Sequence, residues 1–227
     1  MDPMMGRNPS SMTGSDRKRY SLHARRPIRL MRKSSMTRAK STRPRIAVGL
    51  CGASGAQYGV ELLRALAERE VETHLIVSRW ADAVMRTETD TTLAELEDLA
   101  EVTHDNHDMA ASLSSSSFLV DGMVIIPASV KTVAEIAGGS AGTLIARAAD
   151  NMLKTRRRLI VCIRETPISL PCIENLRTIM LAGGIVAPLS PGFYHRPADL
   201  SDLYAFMVGK VLDMLYIENS QFRRWGE

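Results

Sequence analysis

The stretch PRIAVGLCGASGAQYGVELLRALAE, residues 44–68, decides how this chain is read. An apolar run from Ile46 to Cys51 stops at Gly52-Ala53-Ser54-Gly55. It passes at once into a segment with Val60, Leu63 and Ala67 at helical spacing. A strand that enters a helix through a glycine-rich turn aims backbone N–H groups and a helix N-terminus at one point in space, and that point suits an anion. No lysine follows the glycines as a triphosphate loop requires, and their spacing is not that of a dinucleotide fold. A monophosphate fits better. A plain tight strand-to-helix turn would show the same four residues.

Working outward, the same alternation continues. Continuous apolar runs, expected of strands buried on both faces, occur at 45–51, 72–78, 122–127, 159–164 and 183–188. Helical patterns fall between them at 56–69, 79–87, 92–100, 130–153 with a break near Gly138-Gly139, and 171–182. A last one at 199–216 carries Leu203, Phe206, Met207, Val211 and Leu215 on one face. The pattern predicts a single α/β domain over residues 44–227: a doubly wound, mainly parallel sheet with helices on both faces.

The 227 residues are 45% hydrophobic and carry a net charge of +4. That charge is unevenly spread. Residues 1–45 hold 13 Lys and Arg against 2 Asp and Glu, which leaves 16 against 23 for the body. The body is therefore mildly acidic, and with no aromatic interleaving in the tail a nucleic-acid role is not expected. Residues 1–43 are rich in Arg, Ser and Met and poor in large apolar groups, so they are read as a disordered basic extension. An organelle transit peptide and an upstream extension of the reading frame, with translation starting at a Met such as Met36, are the other readings. No apolar run reaches the ~20 residues of a membrane span, so no membrane span is expected. Cys51, Cys162 and Cys172 form no C-x-x-C pair, and Cys51 and Cys162, inside apolar runs, are read as small core residues, which fits a reducing, cytoplasmic compartment.

In a doubly wound sheet, ligands bind beyond the carboxyl ends of the strands. The segments that follow the five expected strands are Gly52 to Gly55; Ser78-Arg79 with Glu88 beyond; Ser129-Val130-Lys131-Thr132; Arg164-Glu165; and 189–197, LSPGFYHRP, with Tyr194. Each brings hydroxyls or charge to one edge. Ser129 and Thr132 could donate to an anion or merely cap a helix. Arg147 and Lys154 lie two helical turns apart on one face, where they could clamp a phosphate or form a solvated basic surface. Glu165 could serve as a general acid or base, or be half of a surface ion pair. His104 and His107, in THDNHDMA, tempt a metal reading, but the Asn and Asp around them favour a solvated loop or a helix start. No metal site is expected.

Taken together, GLCGASGAQYGVELL, VETHLIVSRWA, TETD, SSSSF…GMVIIPASVKT, LIARAADNMLK, RETP, PGFYHRP and the terminal RRWGE resemble the UbiX-like flavin prenyltransferases over about residues 45–227. The resemblance implies a Rossmann-like flavoprotein fold. It also implies a metal-independent reaction that joins the dimethylallyl group of dimethylallyl monophosphate to N5 and C6 of reduced FMN. The prenylated FMN would pass to a UbiD-type decarboxylase. Carried over position by position, Gly52, Ala53, Ser54, Ser78, Ser129, Val130, Lys131, Thr132 and Arg164 would contact FMN. Ser54, Arg147, Lys154, Tyr194 and Lys210 would hold the prenyl phosphate. Glu165 would manage protons, and Glu88 and Ser115 would complete a pocket that relatives often build across a subunit boundary, which implies a homo-oligomer.

Two departures stand out. Lys210 occupies a place where the family usually has Arg, keeping the charge but losing the bidentate fork. Ala128 replaces a common Cys in the Pro-Cys-Ser that follows the third expected strand. Two other readings remain: the small subunit of a non-oxidative hydroxyarylic acid decarboxylase, and a non-catalytic FMN-binding carrier. More distant flavoproteins that decarboxylate cysteine-containing peptides use a His after the first helix, and residues 56–71 contain none.

Overall fold

The computed structural model describes residues 43–226, which fall within one compact unit. The expected basic extension, apart from its last residue, lies outside the described residues. Among the described residues, six strands form one parallel sheet: β1 (Arg45–Leu50), β2 (Glu72–Val77), β3 (Val102–Asp105), β4 (Gly122–Ala128), β5 (Arg158–Ile163) and β6 (Ile185–Val186). Their order is β3-β2-β1-β4-β5-β6, so the chain reverses direction across the sheet between β1 and β4. The α-helices that cover it are α1 (Ala56–Glu68), α2 (Arg79–Glu88), α3 (Leu93–Asp98), α4 (Val130–Ala137), α5 (Leu144–Lys154), α6 (Leu170–Leu181) and α7 (Leu200–Met214).

Strand residues alternate between two cores, because successive side chains point to opposite faces. Ile46, Val48, Leu50, Leu75, Val124, Ile126 and Ile160 pack with α1, α2, α3 and α7 on one face. Ala47, Ile76, Met123, Ile125, Leu159 and Val161 pack with α4, α5 and α6 on the other. The break expected near Gly138 is real: α4 ends there, and α5 starts afresh from an N-cap at Thr143.

One strand departs from expectation. Val102–Asp105 is β3, an edge strand paired to β2, where the sequence suggests a solvated loop or helix start. It is four residues long and largely exposed, so it lacks the apolar run that marks a buried strand. Short, polar edges also resist pairing with other chains. Its inward contact is polar too. His104 stacks on His74, with 3.0 Å between His104 Nε2 and His74 Nδ1. His74 in turn meets Glu72 at 3.3 Å, and Glu72 is bound by Arg45. Among the described residues, no group of three or more His, Cys, Asp or Glu is arranged to hold a metal, and no helix is long and apolar enough to cross a membrane.

Candidate active site

At the carboxyl ends of β1 to β4, beside the reversal of strand order, lies a cavity of about 500 Å³. Crevices outside such a reversal are where doubly wound sheets bind ligands. Gly52, Ser78, Arg79, Trp80, Asn106, His107, Ser129, Lys131, Thr132, Glu135, Thr143 and Ile145 line it. Five of the nine residues expected at FMN are therefore together: Gly52, Ser78, Ser129, Lys131 and Thr132. Three helices also begin at this wall. Ser78 caps α2 by accepting from Ala81 N, Ser129 caps α4 by accepting from Thr132 N, and Thr143 caps α5 by accepting from Ala146 N. The capping role of Ser129, one of its two readings, is thus observed. Three helix N-termini with Arg79 and Lys131 make the cavity attractive to a phosphate ester.

Gly52 is needed for close approach. A Cβ there would lie 2.3 Å from Trp80 Cβ. Trp80, Asn106, Glu135 and Thr143 are lining residues that the sequence does not single out, and His107, weighed there only as a metal ligand, joins them. For Asn106 and His107 the missing signal is β3 itself, since both lie in the turn that follows it. Asn106 is buried and ties that turn to α5: its carbonyl accepts from Leu144 N at 2.8 Å, and its Oδ1 accepts from Ile145 N at 3.1 Å.

The first turn carries an anion of its own. Gly55, at φ 98°, is the N-cap of α1 and supplies no capping side chain. Glu88 fills that role from the end of α2, its Oε2 accepting from Gly55 N at 2.7 Å and from Ala56 N at 3.1 Å. Burial works to raise the Glu88 pKa. Hydrogen bonds from the Ser54 hydroxyl and the two amides, with the Arg164 guanidinium, outweigh it and hold the carboxyl below its usual range. The amides expected to cradle a phosphate at Gly55 are thus engaged by a carboxylate. Ala53 is buried beside them, and Arg164 Nε donates to the Ser54 carbonyl at 3.1 Å. Glu165 follows, half-buried, with Oε1 accepting from Thr166 N at 3.1 Å. The Cys172 thiol is pushed up, mainly by burial and further by the Glu165 charge. Val130, half-buried, packs against the core beneath.

The residues expected at the prenyl phosphate do not gather in one cavity of this chain. Tyr194 lines a second cavity of about 530 Å³ with Arg196, Arg223, Arg224, Trp225 and Gly226, none of which borders the first. Its ring meets Phe206 edge-on at 5.6 Å, and Lys210 Nζ lies 5.6 Å from the centre of that same ring. The Phe222 ring, 5.1 Å from Lys210 Nζ, and Arg224, paired twice with Asp213, hold the C-terminal segment against α7.

Arg147 and Lys154 do share α5. Arg147 sits one turn in from its start, and its Nε is buried without a hydrogen-bond partner among the described residues. Lys154 ends the helix, about 16 Å from Thr143 at 1.5 Å per residue, and pairs with Asp150 at 3.1 Å. Ser115 lies near the amino ends of β4 and β5, in a small cavity with Met123 and Arg157. Lys154 and Ser115, which the sequence places on a helix and in a serine run rather than after a strand, thus lie away from the edge where the strand-end segments meet. A helix that descends the sheet carries its last turn away from the edge where it began.

Comparison with known proteins bears on these groups. The Flavoprotein family model matches residues 34–188. The flavin prenyltransferase UbiX of Deinococcus radiodurans is 44% identical over 192 residues, covering 85% of this chain and 98% of that protein. A crystal structure of AnUbiX (PadA1) in complex with FMN and dimethylallyl pyrophosphate superposes with a TM-score of 0.80 at 42% identity, covering 82% and 98% of the two chains. The dodecameric, FMN-dependent UbiX-like decarboxylase of Escherichia coli O157:H7 gives a TM-score of 0.79 at 41% identity, covering 81% and 100%.

Proposed function

The chain belongs to the UbiX-like flavin prenyltransferases, and on that premise we propose that it joins the dimethylallyl group of dimethylallyl monophosphate to reduced FMN for delivery to a UbiD-type decarboxylase. The observation that carries this reading is the cavity at the strand reversal. Three helix N-termini and two cations there suit a monophosphate ester, and a relative of 42% identity was crystallised with FMN and an allylic phosphate. Reduced FMN would supply the electron-rich N5 and C6 positions, and the dimethylallyl group would supply the two carbons they bond, with inorganic phosphate as the leaving group.

The residues of this chain would divide the remaining work. Ser78, Ser129, Lys131 and Thr132 would seat the flavin with Gly52, Ala53 and Val130, and Arg164 would brace the Ser54 turn alongside. Ser54, Arg147, Lys154, Tyr194 and Lys210 would offset the charge that grows on the departing phosphate, the largest single contribution available to such a site. Glu165 would accept or return the proton, and Glu88 would orient the Ser54 hydroxyl. Because Lys154 and Ser115 lie away from the cavity of their own chain, the site is completed by neighbouring copies in a homo-oligomer. The cations assigned to the phosphate are side chains, so activity should survive a chelator. Three cysteines, all buried and unpaired, suit a cytoplasmic, reducing location.

Anaerobic mixing of the protein with FMNH2 and dimethylallyl phosphate should yield a flavin heavier by one C5 unit in mass spectrometry. Glu165→Gln should bind FMN and give no adduct. Flavin binding by the wild type with no adduct under any condition would make the chain a carrier instead.

A further inference from the structure

Helix α6 is apolar on two sides. Cys172, Leu176 and Ile179 face the core and are buried. Leu170, Ile173, Met180 and Leu181 stand outside, each between 49% and 70% exposed. At 3.6 residues per turn these four fall within an arc of about 100° that runs the length of the helix, with Arg177 in its middle and Glu174 on its border. Ile168, also exposed, extends the patch toward Glu165. A helix that is apolar nearly all round is normally buried, and a contiguous exposed patch marks an interaction surface. The ends of α6 also meet different parts of the proposed site. Its N-cap, Ser169, follows shortly after Glu165. At the other end Arg156 Nη1 donates to the Ala182 carbonyl at 3.1 Å, which fastens the turn after Lys154 to the last turn of the helix.

We infer that the outer stripe of α6 is the surface on which a second copy of this chain docks, the two α6 helices lying antiparallel about a two-fold axis, so that Lys154 of one copy is carried to Glu165 of the other. This inference rests on the proposal that neighbouring copies complete the site. The occupant follows from the order of residues along the stripe. An axis passing between Asn175 and Leu176 sets Leu170 against Leu181 of the partner subunit, and Arg177 against Glu174 of the partner subunit, each twice by symmetry. A parallel pairing would instead set Arg177 against its own copy. Antiparallel pairing also exchanges the ends, so the Glu165 end of each helix lies beside the Lys154 end of the other. The apolar residues supply the contact, and the charge pairs fix its direction and register.

The test reverses the charges. Arg177→Glu, Glu174→Arg and the protein carrying both changes are compared with the wild type by light scattering across a dilution series. Adduct formation from FMNH2 and dimethylallyl phosphate is followed on the same samples. Each single change sets like charges opposite one another and should weaken association of the copies at least about tenfold. Adduct formation should fall in step at dilutions where the wild type is assembled. The double reversal should restore both, which a folding defect would not. Should a reversal fail to fold, Glu174→Cys and Arg177→Cys chains, reassembled together and treated with a short bis-maleimide, should join to each other. Single reversals that assemble like the wild type, a double reversal no better than either single, or no joining of the cysteine pair would overturn the inference. A wild type that forms the adduct as a monomer would instead overturn the reading of a shared site beneath it.

Discussion

Gly52→Ala isolates the contact that joins the first turn to the cavity. The backbone at Gly52 does not occupy the left-handed region, so alanine meets no conformational penalty there and the cost is steric. The new Cβ would lie 2.3 Å from Trp80 Cβ, 3.0 Å from its carbonyl carbon and 3.2 Å from its Cα. Carbon atoms pack at about 3.5–4.0 Å, so the closest pair is about 1.2 Å too near. None of the three atoms can rotate away. The first turn of α2 must therefore shift by about 1 Å, taking Ser78 and Trp80 with it.

Overpacking of this kind costs about 1–3 kcal/mol, and the stiffer unfolded chain returns about 0.4–1 kcal/mol. A net loss of about 1–2 kcal/mol remains, or roughly 2–8 °C in melting temperature for a domain of this size. FMN affinity should fall about tenfold, because each 1.4 kcal/mol of lost contact at the cavity wall is a factor of ten. Gly142→Ala is the control, since its Cβ would meet nothing within 4 Å among the described residues, and it should melt within about 2 °C of the wild type. Thermal unfolding and flavin titration read both quantities. A Gly52→Ala protein that melts within about 1 °C of the control and binds FMN equally well would refute the steric argument.

Three further outcomes are expected. Glu88→Ala removes the cap of α1 and should cost about 1 kcal/mol at neutral pH, the exposed setting keeping it modest. Because its folded pKa is depressed, the stability that Glu88 contributes is present above its unfolded value of 4.5 and is lost as pH falls toward the lower folded value. Urea midpoints across that acid range should therefore differ less in the variant. His74 and His104 are both pulled below 6.5, first by burial. At His74, Arg45 adds to the depression while Glu72 and Glu101 oppose it; at His104, His74 adds to it while Asp108 opposes it. Stability should thus fall as pH drops through 6.5 toward the folded values, and His74→Asn with His104→Asn should flatten that limb. Gly209→Ala would place a Cβ 2.5 Å from Phe222 Cδ1. Global stability should change by about 1 kcal/mol or less, as better helix propensity offsets the clash, but Phe222 should be displaced, seen as faster proteolysis after residue 217.

The sheet was readable because β1, β4 and β5 are buried on both faces and so must be apolar without interruption. Glycine and hydroxyl residues after β1, β2 and β4 then located the cavity, since strand ends are where such residues escape the core. β3 escaped notice because an edge strand of Val-Thr-His-Asp carries no apolar signature, and with it went the place of Asn106 and His107 in the cavity wall. Glu88 could be placed at the site but not on the amides of Gly55 and Ala56, because that contact joins residues 33 positions apart through the packing of α1 on α2. Lys154 shows the opposite difficulty. Helical spacing assigned it correctly to the face of Arg147, but spacing says nothing of how far down the sheet a face extends.

Helix α5 spans the sheet from the cavity rim to the opposite border, with Arg147 near one end and Lys154 at the other. Two chains, each crippled at a different end of this division of labour, should therefore repair one another. Lys154→Ala and Arg147→Ala protomers, inactive when purified separately, would regain turnover when unfolded and reassembled as mixed particles, and the fraction regained would rise and fall with the mixing ratio.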